Sequence, residues 1–147
     1  MATQRQTLRA FLEADATLVA TLTGGIWDAD ELDLNLLTPN TPGIMDNLHR
    51  VKPCLLIRWR TAAPKENPFR TERRFAEFYF YSGTGAAAIE TAKARVKALL
   101  NRTRLKLTDN TKLNCFHWVS DRGELPDITF GNATSDVSRY YVDYSRV

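Results

Sequence analysis

The sequence predicts an α+β fold: an antiparallel sheet of about four strands with two helices packed on one face, in the order α-β-β-α-β-β and with long loops. Three observations predict it. Two separated segments carry apolar residues at helical spacing, the stretches after each alternate like half-buried strands, and the helix-strand-strand order occurs twice.

The first helix is expected over residues 4 to 22, where Leu8, Phe11, Leu12, Leu18, Val19 and Leu22 gather on one side of a 3.6-residue period. Gly24 and Gly25 then stand where a left-handed helix end is usual. From Asp28 to Pro53 three prolines and scattered acids leave no sustained period, which predicts a long loop with a short helix near 43 to 50 or a surface excursion that meets a neighbour. Leu55, Ile57 and Trp59 alternate with Leu56, Arg58 and Arg60, the pattern of a first strand. A proline-containing connection, 61 to 72, leads back into an antiparallel second strand at 74 to 81. There Ala76, Phe78 and Phe80 share one face, and Glu77, Tyr79 and Tyr81 share the other.

Ile89, Ala92, Val96, Leu99 and Leu100 mark the second helix, with Lys93, Arg95 and Lys97 expected to face largely outward. LNCFHWVS at 113 to 120 and RYYVDY at 139 to 144 supply the last two strands, turned by SDRGELPD. The 147 residues suit one domain spanning 1–147.

Composition narrows the function classes. A hydrophobic fraction of 44% and a charged fraction of 25% are those of a globular protein, and a net charge of +3 does not by itself demand a nucleic-acid partner. The first 19 residues carry Glu13 and Asp15 within their apolar part, unlike a signal peptide, so no secretion is expected. No stretch approaches the roughly 18 apolar residues of a membrane span, so no membrane partner is expected either. Cys54 and Cys115, each in an apolar run, suit reduced buried thiols.

The search for chemistry is nearly empty. Ser82-Gly83-Thr84-Gly85 lies between a strand and a helix but lacks the lysine of a phosphate loop and the third glycine of a dinucleotide fingerprint, so tight packing of helix against strand is the favoured explanation. The aromatic strand 74–81, together with Arg58, Arg60, Arg73 and Arg74, raises a nucleic-acid-binding module as an alternative. Against it, Glu77 would repel phosphate. His49 and His117 have no metal-ligand spacing to partners, and a Cys115–His117 nucleophile pair has no orienting acid. Asp28, Asp30, Glu31 and Asp33 lack the glycine and terminal glutamate of a calcium loop. No catalytic residue, metal or cofactor is therefore expected, and the protein is read as a non-enzyme.

Leu8, Leu12, Asp15 and Leu18, then Gly24-Gly25 followed by Ile26 and Trp27, resemble the opening of tail-completion and tail-terminator proteins of tailed bacteriophages. Lys52-Pro53 before the first strand, and the helix from Ala87 to Leu100, extend the likeness over residues 8 to 100. The loop from Asp28 to Pro53 is longer than that family's pattern, and no basic residue stands between the glycines and Ile26. The resemblance implies a structural virion protein of the tail or neck, assembled in the host cytoplasm, that forms a homo-oligomeric ring, a hexamer. It would cap the tail tube, meet the head connector, and let genomic DNA pass its lumen without sequence specificity. A head-to-tail connector adaptor or neck protein is the alternative within that class. The expected contact residues are Trp59, Tyr79 and Tyr81 as anchors, with Arg58, Arg60, Phe69 and Arg70.

Overall fold

A computed structural model describes residues 4–32, 36–60, 63–64, 71–101, 105–106 and 111–146. The fold is α+β. Among the described residues three helices, α1 (Gln4–Glu13), α2 (Ala16–Thr21) and α3 (Ala87–Leu100), accompany one sheet of eight strands. These are β1 (Ile26–Asp28), β2 (Cys54–Trp59), β3 (Ala63–Pro64), β4 (Thr71–Ser82), β5 (Leu105–Lys106), β6 (Thr111–Asp121), β7 (Leu125–Asp127) and β8 (Ala133–Arg146). The four expected strands are β2, β4, β6 and β8, and short pieces add to them at the edges.

The expected first helix is two helices. Asp15 adopts an extended backbone, φ −86° and ψ 107°, and its carboxylate accepts from Leu18 N, which starts α2 afresh. The break shifts the phase of the apolar stripe: Leu8, Leu12, Leu18 and Leu22 are buried, but Val19 is 44% exposed.

The sheet runs β1-β2-β4-β8-β6-β5, with β3 beside β4 and β7 beside β8. Its centre is the antiparallel pair β4–β8, registered from Thr71↔Ser145 to Ser82↔Thr134. β2 is antiparallel to β4, with Leu55↔Phe80 and Ile57↔Phe78. β1 adds the parallel edge that alternation alone did not predict, Ile26↔Leu55, because three residues are too short to show a period.

Both faces of one half of the sheet are covered. The helices bury Leu55, Ile57, Phe78, Phe80, Tyr140 and Val142, and Phe78 meets Tyr140 edge-on at 5.2 Å. Each such aromatic pair contributes about 1 kcal/mol beyond the area it buries. On the opposite face the segment 36–53, expected as an excursion or short helix, instead folds down as a lid. Leu37, Ile44 and Val51 pack there with Leu56, Tyr81, Phe130 and Ala133.

No helix forms near 43 to 50. Asp46 holds a tight turn by accepting from Leu48 N and Arg50 N, each at 2.8 Å, and Met45 bridges Val51. Among the described residues no helix is long and apolar enough to cross a membrane.

Candidate functional site

Where the lid ends, the face away from the helices continues as a row of polar and aromatic side chains. Strand alternation puts Arg73, Phe75, Glu77 and Tyr79 of β4 on that face, beside Arg139, Tyr141 and Asp143 of β8. Glu77 is its centre, 4% exposed, with cross-strand partners Arg58 on β2 and Arg139 on β8.

Arg60 donates to both Glu77 oxygens, at 2.9 and 3.2 Å, Arg139 donates at 3.2 Å, and the Tyr79 hydroxyl donates at 2.7 Å. Burial pushes the Glu77 carboxyl up, but these hydrogen bonds and the two guanidinium charges outweigh it and hold it below the usual glutamate value. A charged carboxylate is thereby kept inside the sheet face by three donor side chains, Tyr79 on β4, Arg139 on β8 and Arg60 just past the end of β2.

Two of the arginines around it lie over rings. The Arg58 guanidinium sits 5.2 Å from the Tyr79 centroid, and that of Arg73 sits 4.1 Å from Tyr141 while its Nε donates to Asp143 at 3.0 Å. His117 stacks on Tyr141 at 4.7 Å. Arg60, Phe75, Glu77 and Arg139 line a cleft of about 230 Å³.

The structure thus brings together Arg58, Arg60 and Tyr79 from the expected contact set. Trp59 lies on the helix side, 7% exposed, under the Arg74 guanidinium at 5.3 Å. Tyr81, 8% exposed, lies beneath the lid, edge-on to Phe130 at 5.0 Å. Phe69 and Arg70 fall outside the described residues. Sequence reasoning missed Arg139, Tyr141 and Asp143 as members of this face. The signal available was Glu77, one acid in an aromatic strand.

A second polar cluster lies on the helix side. Asp136, 0% exposed, accepts from Lys93 Nζ at 2.5 Å, Gly123 N at 3.0 Å and Val137 N at 2.7 Å. Lys93, expected to face outward, is mostly covered, because its amine is the counter-ion of this buried carboxylate and also meets Glu90 at 3.1 Å. Arg95 stays 39% exposed while it grips Asp15.

The glycine corner has a packing origin. A Cβ on Gly83 would lie 2.6 Å from Val51 N, and Gly83 N donates to Val51 O at 2.8 Å. The close neighbour is the lid, not the helix that the sequence suggested. In the acidic segment, Asp28 is buried and accepts from Asp30 N, and Glu31 pairs with Arg9. The Cys54 thiol is buried, which pushes its pKa up to about 12 and leaves it inert as a nucleophile. The Cys115 side chain falls outside the described residues.

No family model and no curated protein matches the sequence. Among solved structures, a chain in the virion of a native gene transfer agent (GTA) particle is similar to this one, with a TM-score of 0.61 and 12% identity. The match covers 97% of this chain and 94% of that chain, and at such low identity the likeness is one of fold.

Proposed function

We propose that this protein is a structural component of a phage-like virion, a tail terminator or completion protein. It acts as a ring that caps the tail tube and joins it to the head connector. The observation that carries the reading is the fold likeness to a virion chain over nearly the whole length of both.

The chemistry of the arginine-lined face agrees with a role in assembly. Arginine and tyrosine are the side chains that dominate protein interfaces, and here they are already immobilised by Glu77 and by one another, which lowers the entropy lost on docking. Catalysis needs a nucleophile or base aimed into a cleft. Here the central carboxylate is fully engaged by arginines and a tyrosine.

The ring would be a hexamer built from this chain as one domain, assembled in the host cytoplasm and carried in the tail or neck, with DNA passing its lumen through contacts indifferent to sequence. A connector adaptor of the neck is the alternative placement. The aromatic strand supports a nucleic-acid module poorly: Phe78 and Phe80 are core, and Glu77 sits amid the arginines.

Deleting the gene in the particle that encodes it and imaging the lysate tests the role. Separate heads and tails, or tubes of uncontrolled length, restored to joined particles by complementation, are expected. Normal joined particles without the gene would contradict it.

A further inference from the structure

Resting on the ring assembly proposed above, we infer that a second copy of this chain docks head to tail on the arginine-lined sheet face, presenting to it the acidic corner formed by Glu90, Glu124 and Asp121. The two patches lie on opposite sides of the sheet, so one subunit cannot join its own. A heterologous contact of this kind closes into a ring when its rotation closes.

Charge complementarity identifies the occupant. On the sheet face Arg58, Arg60, Arg73 and Arg139 stand against Glu77 and Asp143, an excess of two positive charges. At the corner Glu90, Glu124, Asp121 and Asp136 stand against Lys93, Lys97 and Arg122, an excess of one negative charge. The excesses are opposite in sign.

The corner is also frustrated within the monomer. Asp136 has its lysine inside, but Glu124 hydrogen-bonds to Glu90, and that contact, with some burial and the Glu90 charge, pushes its carboxyl above the usual glutamate value. The two acids stand close enough to oppose each other, a conflict that a guanidinium from outside relieves. The guanidiniums of Arg60 and Arg139 are about half exposed, and each is oriented from behind by Glu77. A fork held in this way matches an incoming carboxylate in two parallel hydrogen bonds.

The phosphodiester of nucleic acid is the other anion such a face could meet. The buried negative charge of Glu77 disfavours a continuous phosphate track, whereas discrete carboxylates place their charge only where the forks are.

Charge exchange tests the contact. Variant one carries Glu90→Lys and Glu124→Lys, variant two carries Arg139→Glu, and each is checked for folding by its thermal melt. Sedimentation should show the association of each alone weakened at least about tenfold and the equimolar mixture reassembling, because reversed corners then meet reversed faces. Should Arg139→Glu fail to fold, Arg139→Gln replaces it. Arg139→Gln and variant one are then both expected to weaken assembly, and wild-type association should fall as salt rises.

Unchanged rings from variant one and from Arg139→Gln would overturn this contact while leaving the ring intact. Wild-type protein that stays monomeric, with or without tail tube, would remove the ring and the contact together. Rings that survive variant one but no longer bind tube would reassign the corner to the tube and also overturn it.

Discussion

Arg95 of α3 grips Asp15 in a two-point fork, Nη2 to Oδ1 at 2.7 Å and Nε to Oδ2 at 2.8 Å, at the residue whose Oδ2 also starts α2. One carboxylate therefore breaks the first helix and ties the broken end to α3. The hydrogen bonds from Arg95 hold it below the usual aspartate value. Asp15→Asn keeps a capping oxygen and loses the ion pair, while Asp15→Ala loses both. Thermal melts are expected to fall in the order wild type, Asn, Ala, and equal melting of Asn and Ala variants would show that the cap contributes nothing.

Gly83 stands where the lid crosses the end of β4, and a methyl group there meets backbone rather than a movable side chain. Gly83→Ala should destabilise by about 2 kcal/mol and loosen residues 44–52 first, read by hydrogen exchange at Lys52 N, which donates to Ile44 O. Gly85 has open space but a φ of +115°, so Gly85→Ala is expected to cost about 1 kcal/mol and leave the lid's protection unchanged. Equal loss of lid protection in both would contradict the close-approach reading.

Lys93 neutralises a carboxylate with no exposure to water. Lys93→Met should therefore cost about 2 kcal/mol in urea unfolding, because Asp136 is left buried with only two backbone donors. Lys97, on the same helix, lies over the Trp118 ring at 3.9 Å at the surface. Its replacement by Met should cost no more than about 0.5 kcal/mol, and equal effects would mean that the buried pair has no special standing.

Acid stability follows from Glu77. Its folded carboxyl ionises below 4.5, the value for an unperturbed glutamate, so its contribution is present above that pH and is lost as pH falls through the folded value. Glu77→Gln is expected to be less stable than wild type at about pH 7 and to lose less further stability between about pH 5 and pH 3. A variant curve parallel to the wild type's would show that the arginines do not favour the ionised form.

Much of the fold was legible because its signals are local. α3 announces itself by Ile89, Ala92 and Val96, and β4 sorts its rings by strict alternation, Phe78 and Phe80 inward to the helices. The first helix misled because Asp15 reads as one more exposed polar residue, and only its bonds to Leu18 N and Arg95 reveal a break. The lid was illegible for a different reason. Leu37, Ile44 and Val51 are too far apart to show a period, and their burial depends on turns made by Asp46 and its neighbours.

The candidate face was half visible. Arg58 and Tyr79 lie on the paired strands β2 and β4, with Arg60 just past the end of β2, but Arg139 reaches Glu77 across 62 residues, through a register no local pattern specifies. Lys93 is hidden for the same reason, since its partner Asp136 is 43 residues away.

The proposed function requires copies of this chain to bind one another in a closed ring. Light scattering on the size-exclusion peak, with native mass spectrometry of the same fraction, measures it directly. Six chains of 16.7 kDa make an assembly of about 100 kDa, and that mass, or another single closed multiple, is expected for the protein alone or on addition of tail tube. A species of 16.7 kDa under both conditions would contradict it.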